Sequence, residues 1–461
     1  MNLKTKYYLL IALFSVTIFS CNTGKHFERD TTIADGLYGD IPSGESNLSE
    51  EKWQNLFNDP VLDSLIAEGL RNNPDLQVAV QRVFAAEASF NQSRAAMAPS
   101  LSAQGGYTYA RNSQSVNPNA AKEYDASSVK LLSSWEIDFW GKLSSARKAA
   151  YANYLATDAA QKAVQTRLIA NIASVYYSLL ALDSKLLITK ESVKNNIDLV
   201  ETMKLLKDHG NVTGAAVVQS EATRYATEAT IPDIEQQIRE TENTLCLLLG
   251  RTPGKIERGK LDDQKVHVML ATGVPAELLD NRPDVMQAEY NVIGAFELTN
   301  SAKAYFYPSV TLTANAGFEA LDFKDLFDPV SFAGNFVGGL VQPIFNKRVN
   351  KTRLEIAKAQ QEESLINFRN TLLNAGAEVS DALSLYEAAT EKIGIREKQL
   401  AALIKSVDYT KELLVYGSAT YTEVLIAQQS LLNAKLNNVN DHVQQLNAVV
   451  SLYRALGGGW K

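Results

Sequence analysis

Few side chains in this sequence are spaced for chemistry. The four histidines, His26, His209, His267 and His442, are dispersed, and no two share a metal-ligand spacing on one helix. Glu136 and Asp138 could be an acid–base pair, but positions two apart in an alternating stretch more simply line one strand face. Gly457-Gly458-Gly459 lacks the following helix that a phosphate-binding loop requires. There is no nucleophile elbow, and the five methionines form no stripe that would hold a soft metal. The residues therefore point to no catalytic site, no metal and no bound cofactor, and the chain reads as a non-enzyme.

One covalent modification is expected. Lys4 and Lys6 precede an apolar run, Tyr7 to Phe19, too short for a bilayer span and suited to a secretory leader. Ile18-Phe19-Ser20-Cys21 resembles the lipobox of bacterial lipoproteins, so residues 1–20 are expected to be a signal peptide and Cys21 the acceptor of covalent lipid. Several acyl chains on one residue would hold firmly where one alone binds weakly. Residues 21–59 then read as a polar tether. The other cysteine, Cys246, lies in the apolar run Leu245–Leu249 and reads as a buried, inert thiol. No later stretch approaches 18 continuous apolar residues, so any membrane crossing falls to strands. Formal net charge is −7, or −9 once Lys4 and Lys6 depart, which disfavours a nucleic-acid partner because phosphate binding needs a basic face.

The remaining elements are arranged twice. Asn73-Pro74-Asp75-Leu76 opens a helix-forming stretch ending at Pro99-Ser100-Leu101; Arg282-Pro283-Asp284-Val285 opens another ending at Pro308-Ser309-Val310. Both proline pairs keep one offset, since 283 − 74 = 308 − 99 = 209. That is the mark of a duplicated unit. The leading prolines suit a first helical turn, where a missing N–H is harmless, and the trailing ones stop their helices. Further on, Gly417 lies 207 after Gly210 (417 − 210), and Gly457 lies 207 after Gly250 (457 − 250). The predicted organisation is a first repeat over 60–250, a connector over 251–281 and a second repeat over 282–461.

After each trailing proline the hydrophobic period changes to two. Leu101, Ala103, Gly105, Tyr107 and Tyr109 alternate with Ser102, Gln104, Gly106 and Thr108. Beyond a polar loop over 111–125, Val129, Leu131, Ser133, Trp135, Ile137 and Phe139 take one face. Lys130, Ser134, Glu136 and Asp138 take the other. Hairpins are predicted over 100–140 and 309–341. Their end-placed aromatics suit membrane-barrel girdles, and Glu136 and Asp138, with Gln104, Asn315 and Glu319, are expected to face a water-filled lumen. Long helices are predicted over 143–249 and 349–456, with Pro232 bending or breaking the first. The proline- and glycine-free run from Leu143 to His209 would span about 100 Å. Ile172, Leu179, Leu186, Val193 and Val200 give it a heptad seam, and Leu425, Leu432, Val439, Leu446 and Tyr453 repeat the device.

Four strands per chain cannot close a barrel, and lipid tolerates no open sheet edge. Small membrane barrels start at about eight strands, so several chains must pool theirs; three would give twelve and a lumen. The fold class expected is mainly α with a β-barrel part: long coiled-coil helices forming an α-barrel, plus four strands per chain pooled into a transmembrane β-barrel. The rival is a lipid-anchored coiled-coil spacer with a soluble sheet.

The same residues carry a family resemblance. Trp53–Leu76, Ser134-Trp135-Glu136-Ile137-Asp138-Phe139-Trp140-Gly141-Lys142, Ile231–Ile238, Gln342–Phe345 and Leu452–Trp460, in that order, resemble the TolC-type outer-membrane efflux ducts, lipoprotein (NodT/OprM-like) branch. The resemblance implies a homotrimer with a 12-stranded barrel in the cell outer membrane and a helical barrel extending into the periplasm. It implies a passive exit duct for small molecules, docked onto a periplasmic adaptor (membrane fusion) protein and an inner-membrane pump of the RND type. A type I secretion duct is the alternative within the family. It also makes His209–Thr213 and Tyr416–Tyr421 the periplasmic tip, with Gly210, Thr213, Gly417, Thr420 and Tyr421 at the gate and adaptor contact. Glu423 falls where members often place an entrance aspartate, and Ala419 where some carry a polar latch. Without the resemblance, Glu423 is an acid favoured in a first helical turn by the helix dipole.

Overall fold

The computed structural model describes residues 52–264 and 278–461, apart from 58, 114, 117 and 120. The leader, Cys21 and most of the tether lie outside them, as do residues 265–277 of the connector. Helices α1 (Trp53–Phe57), α2 (Pro60–Asn72) and α3 (Pro74–Ala95) lead into strands β1 (Ser100–Arg111) and β2 (Glu123–Ile137). Helices α4 (Lys142–Asp208), α5 (Gly214–Glu228) and α6 (Thr230–Leu248) complete the first repeat. The second has a short α7 (Leu278–Asn281), α8 (Pro283–Ala304), β3 (Ser309–Ala320), β4 (Phe332–Val341), α9 (Val349–Val415) and α10 (Tyr421–Ala455).

The duplication shows in the lengths of three pairs of elements. Helices α3 and α8 are both 22 residues long, β1 and β3 both 12, and α4 and α9 both 67. Local chemistry sets the shared boundaries. Asp59 caps α2 by accepting the Val61 and Leu62 N–H groups at 2.8 and 3.3 Å, with Pro60 at the first helical position. Asn73 caps α3 in the same way, its Oδ1 3.0 Å from the Leu76 nitrogen.

Three boundaries differ from the sequence reading. The break between α5 and α6 falls at Ala229, three residues before Pro232, which sits in the first turn of α6 where its missing N–H leaves no bond unmade. Strand β2 begins at Glu123, inside the expected loop. It ends at Ile137, so Asp138 and Phe139 lie beyond the strand and Asp138 is not one of its polar-face residues.

Two compact units divide the chain. The described residues of one are 82–158 and 287–368; those of the other run from 52 to 81, 159–286 and 369–461. In the first, one antiparallel sheet has the order β1-β2-β3-β4, and the helix segments follow that order. Phe90 of α3 packs on Tyr151 and Tyr154 of α4, with centroids 5.0 and 6.3 Å apart. Gly294 of α8 faces Ala149 and Ala152 of α4, and Thr299 donates to the Ala357 carbonyl of α9 at 3.2 Å. In the second unit most of the predicted seam is buried: Ile172, Leu179, Val193 and Val200, and Val439, Leu446 and Tyr453, while Leu186, Leu425 and Leu432 are half-buried. Helix α4 also holds an 18-residue window with mean hydropathy 1.3, enough by composition to cross a bilayer, although no continuous apolar run of that length exists. Ile169, Ile172, Tyr176, Leu179 and Leu180 are each no more than 1% exposed, so this stretch serves the core.

Candidate functional site

The strand register sorts side chains between the two faces of the sheet. Lys130 pairs with Gln104 on β1 and with Gly317 on β3, and Asn315 pairs with Asn335 on β4. One face therefore carries Ser102, Gln104, Thr108, Ser128, Lys130, Ser134, Glu136, Thr311, Thr313, Asn315, Glu319 and Asn335. Lys130 Nζ reaches Glu319 Oε2 at 2.5 Å along it. Leu132, Val337 and Val341 are its larger aliphatic members.

The opposite face carries Leu101, Ala103, Val129, Leu131, Trp135, Val310, Leu312, Ala316, Phe318, Phe332, Phe336 and Leu340. Leu101, Phe336 and Leu340 are about 70% exposed, which is costly in water and favourable against hydrocarbon. Aromatic residues gather at its two ends. At the loop end stand Tyr107, Tyr109, Phe318 and Phe332, the last two edge to face at 5.7 Å. At the helix end Trp135 donates to the Met97 carbonyl at 2.9 Å. There too Trp140 donates to the Pro308 carbonyl at 2.8 Å and stacks on Tyr307. An indole with its N–H bonded and its ring left to apolar neighbours suits a boundary between water and hydrocarbon.

The two predicted polar residues at the strand base have definite partners. Glu136 ends the polar face in an ion pair with Lys142. Asp138 instead caps α4, its oxygens 2.8 and 2.7 Å from the Leu143 and Ser144 nitrogens.

The turns α4–α5 and α9–α10 form the candidate tip. Gly210 and Gly417 have φ of 80° and 71°, a left-handed conformation that closes each helix, with Asn211 N–H on the Leu206 carbonyl and Ser418 N–H on that of Leu413. Thr213 and Thr420 then cap the next helices, accepting the Ala216 and Glu423 N–H groups, each at 3.4 Å. Glu423 returns the bond: its Oε2 is 2.7 Å from the Thr420 nitrogen, a capping box that the first repeat, with Ala216 in that place, cannot make. Beneath both turns, Leu199, Met203, Ala216, Val217, Leu414 and Val424 form one buried cluster, and Tyr421, Leu206, Val212 and Leu425 pack on it. The residues named from sequence all lie in these two turns or at the start of the helices that follow, with Tyr421 packed against the cluster and Glu423 exposed.

Two charged networks join residues far apart in the chain, and sequence reasoning named neither; only Arg282 and Asp284 of the second are near neighbours in sequence. Arg258 holds Asp183 at 2.5 and 3.0 Å and Glu242, itself buried, at 2.6 Å. Nearby, Tyr176 donates to Asp59 at 2.9 Å, and burial with that carboxylate pushes its phenol well above the usual range. In the second repeat, Arg282 is 6% exposed and bonds Asp284 at 2.6 Å, Glu378 at 2.9 Å and the Ala455 carbonyl at 2.9 Å. Burial pushes the Asp284 carboxyl up, but the hydrogen bonds and charge of Arg282 outweigh it and hold the group below its ordinary range.

Comparison with known proteins accounts for this division of labour. The profile of the outer membrane efflux protein family matches residues 65–251 and 274–458. The chain belongs to the outer membrane efflux protein family. It is 32% identical over 427 residues to the cation efflux system protein CusC of Escherichia coli O6:H1, covering 91% of each chain. To the probable outer membrane lipoprotein SilC of Salmonella typhimurium it is also 32% identical, over 90% of this chain and 89% of that one. A solved structure of CusC superposes with a TM-score of 0.86 at 29% identity, covering 95% of this chain and all of that one. The outer membrane protein VceC of Vibrio cholerae gives 0.83 at 27% identity, over 89% and 98%. Its place is the cell outer membrane and its task is that of an exit channel in an efflux system.

Proposed function

We propose that three copies of this chain pool twelve strands into one barrel and act as a passive conduit for small molecules. The observation that carries this reading is the sorting of the sheet: a four-stranded antiparallel sheet with one polar face, one apolar face and two open edges. Lipid accepts the apolar face but not the edges, so neighbouring copies must cover them, and the polar faces then surround water. Gln104, Lys130, Glu136, Asn315 and Glu319 line that water-filled path.

The conduit performs no chemistry of its own. Its tip residues Gly210, Thr213, Gly417, Thr420, Tyr421 and Glu423 form the gate and meet a periplasmic adaptor protein, which couples the duct to an inner-membrane pump of the RND type. Opening is a shift between two packings of the tip helices, biased by the partner's contacts. Residues 1–20 are a signal peptide, and lipid on Cys21 adds a second hold on the membrane. Purified protein in a planar bilayer should give discrete conductance steps and heat-modifiable migration on gels, neither of which a coiled-coil spacer shows. Adaptor and pump should copurify from native membranes, and Cys21→Ser should abolish labelling with radioactive palmitate.

A further inference from the structure

We infer that a cavity where the end of α10 meets the start of α8 binds a small phosphate-type oxyanion, held by Arg167, Arg454 and the hydroxyl of Thr166. The cavity measures about 300 Å³. Thr166 and Arg167 of α4, Arg282 and Asp284 at the start of α8, Glu378 of α9 and Arg454 of α10 line it. All of them belong to one chain and to its second compact unit.

Charge around the cavity is unequal. Three guanidinium groups face two carboxylates, and both carboxylates are turned on the most buried cation. Asp284 accepts from Arg282 Nε and Nη2 at 3.0 and 2.6 Å, and Glu378 Oε2 lies 2.9 Å from the same Nη2. What remains for Arg454 is Glu378 Oε1 at 3.8 Å, its one ion pair among the described residues. Arg167 is exposed and makes no hydrogen bond or ion pair among the described residues. Two planar forks therefore border the cavity with donors to spare. A single fork satisfies a carboxylate, whereas a tetrahedral oxyanion has oxygens for two forks and a hydroxyl. Thr166 supplies that hydroxyl. It is 6% exposed, and its Oγ1 is buried without a partner among the described residues. Thr157 and Thr202, on the same helix, turn theirs back to the carbonyls four residues earlier at 2.8 and 2.9 Å. A buried hydroxyl that makes no such bond costs free energy until a ligand accepts from it.

The duplication shows that the fold does not require these charges. In the second repeat Arg282 Nη1 donates to the Ala455 carbonyl at 2.9 Å, tying the end of α10 to the start of α8. In the first, Asn73 Nδ2 donates to the Leu248 carbonyl at the same 2.9 Å. Those carbonyls are 207 apart (455 − 248) and those donors 209 apart (282 − 73), so a neutral amide makes the same tie. By the same offsets Glu378 corresponds to Asn171, Arg454 to Leu247 and Arg167 to Asn374. Asp284 alone keeps its charge, as Asp75. Charge has been added to one of two equivalent joints, and there it surrounds a cavity.

The test is equilibrium dialysis of the full chain in detergent against radioactive inorganic phosphate at fixed ionic strength. Wild type should show one saturable site per chain, displaced by sulfate and not by chloride. Arg167→Gln should weaken it roughly 10- to 100-fold and Thr166→Val about 3- to 10-fold, as expected for losing a charged and a neutral hydrogen bond. Glu378→Gln removes a carboxylate from the rim and should tighten binding several-fold, a direction that a merely structural role would not produce. Glycerol phosphate competing better than inorganic phosphate assigns the site to a phosphate ester; competing worse, to the free ion. Circular dichroism of each variant checks folding. The proposal is overturned by the absence of a saturable site in wild type, by equal displacement with chloride, or by folded Arg167→Gln and Glu378→Gln chains that bind as wild type does.

Discussion

Glu423 Oε2 accepts the Thr420 backbone N–H at 2.7 Å, while Thr420 Oγ1 accepts the Glu423 N–H at 3.4 Å. The carboxylate that falls where family members often place an entrance aspartate thus closes the first turn of α10, as the first-turn reading of Glu423 expects. Losing such a box costs about 1 kcal/mol of local helix stability. Glu423→Ala should raise resting conductance in planar bilayers because the tip turn loosens. Glu423→Gln keeps an acceptor for the same N–H and should leave conductance near wild type; a leak equal to that of the alanine variant would mean that charge, not the cap, holds the tip.

Lys130 is the cation nearest Glu319 on the polar strand face, 2.5 Å away. Lys130→Glu replaces that pair with two carboxylates on each chain. Bilayer reversal potentials in a salt gradient should move toward cation selectivity, and the shift should shrink as salt rises and screening lengths shorten.

Arg258 joins three separate stretches of chain through Asp183 and Glu242. Its removal would leave Glu242, only 7% exposed, with the exposed Arg239 at 3.8 Å as its remaining counter-charge. Arg258→Ala should destabilise the helical unit by about 1–3 kcal/mol, seen as a lower thermal midpoint in circular dichroism. The double variant Arg258→Met/Glu242→Gln, which removes both charges, should recover much of the loss.

The Arg282–Asp284 pair sets an acid limit. Folding lowers the Asp284 pKa below its ordinary value of 3.8, so the folded chain binds that proton more weakly than the unfolded chain. Its stabilisation is fully present above about pH 5 and fades as pH falls through the lowered folded value. The carboxylate is 43% exposed, so solvent screens part of it. Thermal midpoints of wild type and Asp284→Asn should differ most near neutral pH and converge only as pH falls through the lowered folded value.

Much of this was legible from prolines and periodicity. Pro74, Pro99, Pro283 and Pro308 mark helix ends because proline acts through its own backbone, whatever it touches. The alternation at Leu101–Tyr109 named a face because strand geometry fixes it. Residues with divided loyalties were misread. Glu123 and Asp125 looked like loop, yet they sit on the apolar strand face at its rim, where Arg111 pairs with Glu123 and the Tyr107 hydroxyl donates to Asp125. Asp138 kept the strand period but serves the helix after it. Arg258 was silent because its partner Asp183 is 75 residues away, a separation no local pattern encodes.

Each chain offers two unlike edges, β1 and β4, so one copy can be damaged at one edge and sound at the other. Head-to-tail assembly makes such a copy a terminator: it still joins a growing ring and then refuses the last partner. Substitutions confined to β4 should therefore behave genetically as dominant, with a minority of altered chains silencing a majority of normal ones.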